Sequence, residues 1–194
     1  MVNWLVAIDT QLFLFLNGLH TPFLDPIMVF FSGKITWVPL YLIIIFFMYK
    51  QFGWRLLWPL LGVALVVVLA DQTSVHLFKN VFERLRPCHN PDIKEMVHLA
   101  ASRCGGKFGF VSSHAANTFG VATFLALLFK RRWFTVSILL WAAIVSYSRI
   151  YLGVHYPGDV LAGGLLGYIC GIAVWNLYYG LNATFNLVRS PASK

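Results

Sequence analysis

Apolar residues run with little interruption through WVPLYLIIIFFMY (37–49), LLWPLLGVALVVVLA (56–70), FGVATFLALLF (119–129), WFTVSILLWAAIVSY (133–147) and VLAGGLLGYICGIAVWNLYYGL (160–181). Segments this apolar suit helices that cross a bilayer, where each backbone must satisfy its own hydrogen bonds. In the first twenty residues, Trp4, Leu5, Ile8, Leu12, Phe15, Leu16 and Leu19 recur at the spacing of one helical face. That pattern predicts an amphipathic helix lying on the membrane surface, with a further span as the alternative. Between Pro22 and Tyr49 the apolar run is broken by Ser32, Gly33 and Lys34. The break allows either one long tilted helix or a short segment followed by a span. The expectation is an all-α, polytopic membrane helix bundle of five or six spanning helices plus the N-terminal amphipathic helix. Residues 1–194 form a single membrane-embedded domain in this reading, without linkers, and only RSPASK at the end reads as a free tail.

Composition sharpens this picture. Hydrophobic residues make up 59% of the chain and charged ones 11%, which excludes an ordinary water-soluble domain. No cleavable signal peptide is expected, because residues 1–20 lack a basic start and carry Asp9, Gln11 and Asn17. The formal charge of +8 has a topological component. Lys50 and Arg55, Lys130 to Arg132, and Arg189 with Lys194 fall on one face when spans are counted, and the positive-inside rule makes that face cytoplasmic. The remaining basic residues lie on the opposite face, in the segment from about 80 to 111 and at the junction near 155. A topological signal does not explain them.

On that outer face three polar islands stand at the ends of apolar runs: KNVFERLRP (79–87), FVSSHAAN (110–117) and SRIYLGVHYPGD (148–159). Lys79 and Arg86 are seven residues apart, which on a helix is two turns and the same side, with Pro87 ending the helix. Two fixed cations at a boundary suit a phosphate; snorkelling to lipid headgroups is the other reading. Ser112 and Ser113 occupy helix-capping positions at the start of a span, where unpaired N–H groups favour an anion. His114, one residue inside, is placed to protonate a leaving oxygen, although a serine cap beside an interfacial histidine would look the same. In the third island Arg149 adds a cation, and His155 and Asp159 bracket a helix start at Pro157 and Gly158. A carboxylate one turn from an imidazole can accept its Nδ1 hydrogen bond and leave Nε2 as a nucleophile.

Outside the islands, Cys88 and Cys104 can pair in an oxidising compartment, with two free thiols as the alternative. His89, His98 and Cys104 match no common zinc spacing, so no metal site is expected. Asp71 reads as a buried or cavity-facing carboxylate, and Arg84, Arg103 and Lys107 as a solvated loop face, with binding of a second phosphate or a sugar headgroup as the alternative.

Taken in order, Lys79 through Arg86-Pro87, then Ser112-Ser113-His114, then Ser148-Arg149 through His155 and Asp159 resemble the three-part signature of the type 2 phosphatidic acid phosphatase superfamily, which includes membrane lipid phosphatases and vanadium haloperoxidases. The first and third parts match; in the second, Val111 and Ser113 stand where the signature has proline and glycine. The resemblance implies a metal-free, cofactor-free phosphatase. His155 attacks phosphorus and forms a phosphohistidine, Asp159 holds its ring, and His114 protonates the departing oxygen. Lys79, Arg86, Arg149, the Ser112 hydroxyl and the Ser113 N–H bind the phosphoryl oxygens. The implied partner is a phosphorylated membrane lipid, with no nucleic acid and no obligatory protein partner. Lipid A or undecaprenyl pyrophosphate is favoured, and phosphatidic acid or phosphatidylglycerol phosphate is the alternative. The implied location is a bacterial inner membrane, with the site facing the periplasm or exterior. A haloperoxidase would use the same residues to hold vanadate, but those enzymes are soluble; a transporter would need no nucleophile, orienting carboxylate and acid on one face.

Overall fold

A computed structural model of the chain describes residues 2–185, so the RSPASK tail with Arg189 and Lys194 lies outside the described residues. The helices are α1 (Val2–Gly18), α2 (Leu24–Ser32), α3 (Val38–Phe52), α4 (Leu57–Thr73), α5 (Asn80–Phe82), α6 (Ser113–Phe129), α7 (Arg132–Tyr151) and α8 (Pro157–Phe185). A π-helical turn over Ser74–Lys79 joins α4 to α5. Among the described residues, three apolar helical stretches are long enough to cross a bilayer: Ile35–Phe82, Arg132–Tyr151 and Pro157–Phe185. The first of these turns at Gly53, whose φ of +56° is open to glycine at little cost, and so supplies two arms. Trp4–Gly18 of α1 and all of α6 are apolar too, but shorter.

The core lies where α3, α4, α6, α7 and α8 meet, around Met48, Val66, Phe124, Leu125, Trp141, Val145 and Val174. Between α6 and α8 the contact is closer than side chains would allow. A methyl group added at Gly163, Gly167 or Gly171 would strike, in turn, the carbonyls of Ser112, Ala116 and Gly120. Small residues let helices approach in lipid, where packing rather than hydrophobic burial drives association.

One expectation about the N-terminal part is resolved. Residues 22–49 form a short α2, a break at Gly33 and Lys34, and then α3, so the broken alternative holds. Helix α1 forms as expected. Trp4, Leu5, Ile8, Leu12, Phe15 and Leu19 point away from the protein, while Phe13 and Asn17 are buried against the bundle. Asn17 donates to the carbonyls of Tyr151 (2.8 Å) and His98 (3.1 Å) and accepts from the His98 N–H (2.9 Å). Asn17 thus finds all of its partners in the protein, whereas Gln11 is exposed.

A correction concerns the first island. The helix does not run to Pro87; it stops at Phe82, and Glu83 takes a left-handed conformation with φ +44°. Lys79 and Arg86 therefore do not share a helix face. Residues 84–86 are extended and pair with 107–109, through Arg86 N–H to Lys107 O (3.1 Å) and Gly109 N–H to Arg84 O (2.8 Å). A disulfide between Cys88 and Cys104 closes this loop, with Cα atoms 5.9 Å apart.

Candidate active site

The three islands converge at one end of the bundle, and backbone hydrogen bonds hold them in register. The Ser112 N–H, just before α6, donates to the carbonyl of Asp159 in the first turn of α8 at 2.9 Å. After α7, Gly153 turns the chain with φ +74°, and the Val154 and His155 N–H groups return to the carbonyl of Arg149, each at 3.2 Å. This fixes His155 between two helix ends without any side-chain contact being required.

Asp159 is wholly buried, and His155 nearly so. Asp159 Oδ2 accepts the Tyr156 N–H at 3.0 Å and lies 3.4 Å from His155 Nδ1, close enough for an ionic contact but off the line of a good hydrogen bond. With Nδ1 directed at the carboxylate, Nε2 is the ring nitrogen left for chemistry. Burial pushes the His155 pKa well below the ordinary 6.5, and Arg86, Arg149 and Lys79 push it further in the same direction. A neutral imidazole, the form that can attack, is the result.

The cations reach the site from different elements. Arg149 leaves the last turn of α7; its Nη1 donates to Ser32 Oγ at the end of α2, while its Nε is buried without a partner. Arg86 is braced by the carbonyls of Phe108 and Cys104, both at 3.3 Å. Gly109 lets it close on the histidine pair: a methyl group there would come within 3.0 Å of Asp159 Oδ2, 3.2 Å of Arg86 Cγ and 3.6 Å of His155 Nδ1. Lys79 Nζ donates to Ser113 Oγ at 2.6 Å, and the same oxygen is 2.6 Å from Ser74 Oγ. The hydroxyl that replaces the signature's glycine thus holds the lysine.

Ser112 departs from its expected capping role. It occupies the N-cap position of α6 but makes no side-chain cap bond, and its buried Oγ has no partner. Arg149 Nε shares this lack of a partner, as do Trp141 Nε1 and Ser146 Oγ elsewhere in the bundle.

Ser113 and His114 also line a cavity of about 510 Å³ that runs between α3, α4, α6 and α7. Its walls include Tyr41, Ile44, Met48, Val63 and Val121, and Lys34 and Asp71 stand with His114 among its polar residues. Asp71 is therefore cavity-facing, as expected. Sequence reasoning missed three residues. Ser32 receives Arg149. Arg84, assigned to a solvated loop, instead bridges Asp159 Oδ1 (2.8 Å) and Asp9 Oδ2 (2.7 Å). Asp9 entered the sequence reading only as a polar residue weighing against a signal peptide. Arg103 is exposed, as the loop reading requires. Cys88, His89 and Cys104 approach one another, but both sulfurs are in the disulfide and His98 lies apart, paired with Asp25.

A helix bundle with apolar spans, a buried histidine–aspartate pair and three cations gathered at one end is the arrangement found here. Residues 55–183 match the PAP2 superfamily, and the chain belongs to that superfamily. Lipid A 4'-phosphatase of Bacteroides thetaiotaomicron is 45% identical over 182 residues, covering 92% of this chain and 79% of the relative. Lipid A 4'-phosphatase of Porphyromonas gingivalis is 36% identical and covers 91% of this chain and 75% of its own. The crystal structure of Aquifex aeolicus LpxE superposes with a TM-score of 0.65 at 25% identity, covering 87% of this chain and 95% of that one. The protein is a membrane lipid phosphatase, a hydrolase of PAP2 type.

Proposed function

We propose that this enzyme removes phosphate from lipid A, through a phosphohistidine, at the periplasmic face of a bacterial inner membrane. One observation carries the lipid part of the reading: the apolar cavity between α3, α4, α6 and α7 ends at Ser113 and His114, so a chain lying in it would present its headgroup to the site. Two relatives named lipid A 4'-phosphatase, at 45% and 36% identity, favour lipid A over undecaprenyl pyrophosphate.

In the proposed reaction His155 Nε2 forms a bond to phosphorus as the bond to the lipid oxygen breaks, and His114 gives that oxygen its proton. Lys79, Arg86, Arg149, the Ser112 hydroxyl and the Ser113 N–H hold the phosphoryl oxygens, whose charge shifts in the transition state. Water then attacks the phosphohistidine and returns a proton to His114, inorganic phosphate leaves, and His155 is regenerated. Asp159 keeps the ring oriented throughout. Three fixed cations supply the charge that a metal would otherwise bring, so turnover should survive EDTA; loss restored only by a divalent ion would defeat this account.

A panel of lipid A, undecaprenyl pyrophosphate, phosphatidic acid and phosphatidylglycerol phosphate in mixed micelles, read by phosphate release, tests the substrate. The expected result is preferential release from lipid A at its 4'-phosphate; preference for any other lipid sinks that assignment. Sidedness is tested with single cysteines in a background lacking the native ones. A cysteine near Lys107 should react with an impermeant maleimide from outside, and one near Arg131 should not; the reverse pattern would invert the topology.

A further inference from the structure

Arg84 has both ends of its fork committed. Nη1 donates to Asp159 Oδ1 at 2.8 Å and Nη2 to Asp9 Oδ2 at 2.7 Å, with the guanidinium 4.0 Å above the Tyr156 ring. The second oxygen of Asp9 is used as well, accepting the Gly158 N–H at 2.7 Å. One carboxylate on α1 therefore grips both the arginine that neutralises Asp159 and the first turn of the helix that carries it. The approach is close: a methyl group on Gly158 would lie 2.7 Å from Asp9 Oδ2.

We propose that Asp9 is a positioning residue for phosphoryl transfer, acting through Arg84. Arginine and carboxylate prefer to pair through two parallel hydrogen bonds. By occupying Nη2, Asp9 restricts Arg84 to one oxygen of Asp159. Oδ2 is then left to the Tyr156 N–H and to His155. Without Asp9, Arg84 is free to take both oxygens, and His155 loses the group that sets its tautomer and aim. Helix α1 is thus part of the catalytic centre, although it lies outside the stretch that matches the superfamily.

The inference rests on the roles proposed for His155 and Asp159, and the test separates the two. Wild-type protein and the variants are assayed on lipid A in mixed micelles, or on the fastest substrate of the panel if lipid A is not turned over. His155→Ala reports on the nucleophile alone. Asp9→Asn should lower kcat about 10- to 100-fold, the scale of a small misplacement of a reacting group, with KM within about 3-fold of wild type. In an Arg84→Lys background, where no fork exists, the Asp9 substitution should cost less than about 2-fold, because non-additivity marks residues acting as one unit. Gly158→Ala, which displaces the Asp9 carboxylate without changing its charge, should reproduce the kcat loss. Asn17→Ala, which loosens the other end of α1, should lower Tm and leave kcat within about 3-fold, as expected for a packing contact. The proposal falls if folded Asp9→Asn keeps its kcat, if its cost is unchanged beside Arg84→Lys, or if Asn17→Ala slows turnover equally. An active His155→Ala would instead overturn the nucleophile assignment.

Discussion

Among the described residues, two histidine–aspartate pairs stand at the end of the bundle that holds the site, and the one with the shorter contact is the one outside the proposed reaction. His98 Nε2 and Asp25 Oδ1 are 3.0 Å apart, against 3.4 Å for His155 Nδ1 and Asp159 Oδ2. Asp25 also accepts the Tyr151 hydroxyl at 2.8 Å, and His98 stacks on His20 with ring centroids 3.7 Å apart. That cluster ties α2, the outer loop and the end of α7 together, and its side chains are about a quarter exposed, 25% and 24%. The inner pair is sealed from solvent, and burial first, then the charges of Arg86, Arg149 and Lys79, push the His155 pKa well below 6.5. In the proposed reaction, burial and charge rather than contact distance set the acting pair apart.

The largest expected effect separates the two histidines. His155→Ala should lower phosphate release by about 10⁴-fold or more, as loss of a nucleophile does in other covalent mechanisms, and should abolish the acid-labile phosphoenzyme. Retention of a tenth of the wild-type rate would remove His155 from that role. Asp159→Asn comes next, with a kcat loss of about 10³-fold, since an amide no longer selects the tautomer that leaves Nε2 free.

A pH profile sharpens the contrast further. The pKa of His155 is depressed below 6.5, so kcat/KM should stay level as pH falls through 6.5 and decline only when the ring finally protonates. Lys79→Gln removes a cation that opposes protonation and should move the acid limb upward; movement downward would contradict the electrostatic account. The smallest effect belongs to the outer pair. Asp25→Asn should keep turnover within about 2-fold and lower Tm by roughly 2–4 °C, the cost of about 1 kcal/mol in a protein of this size. A 100-fold loss of rate there would end the distinction drawn between the pairs.

Much of the inner pair's setting was legible in the sequence, because its parts are local. His155 and Asp159 are one helical turn apart, and the positions of Arg149, Ser112 and His114 follow from where apolar runs end. The first island misled because nothing between Lys79 and Pro87 is a glycine or proline, and Glu83 adopts a left-handed conformation that non-glycine residues seldom take. Asp9 and Arg84 could not be paired from sequence: 75 residues separate them, and Asp9 is 149 residues from Gly158. Helix α1 carried the expected period, but the roles of Asp9 and Asn17 in holding it to the protein depend on partners far along the chain.

The glycines at 163, 167 and 171 carry a consequence for how this chain can vary. They set α8 against α6 in one vertical register, and the same register brings Asp159 O opposite the Ser112 N–H. Inserting or deleting a single residue between Asp159 and Gly163 would turn the helix start by roughly 100° and shift it by about 1.5 Å relative to that seam. Either the seam or the hydrogen bond at the helix start would then be lost. Length polymorphism should therefore be absent from this stretch and tolerated in the exposed loop around Arg103, where residues can be added without rotating a helix.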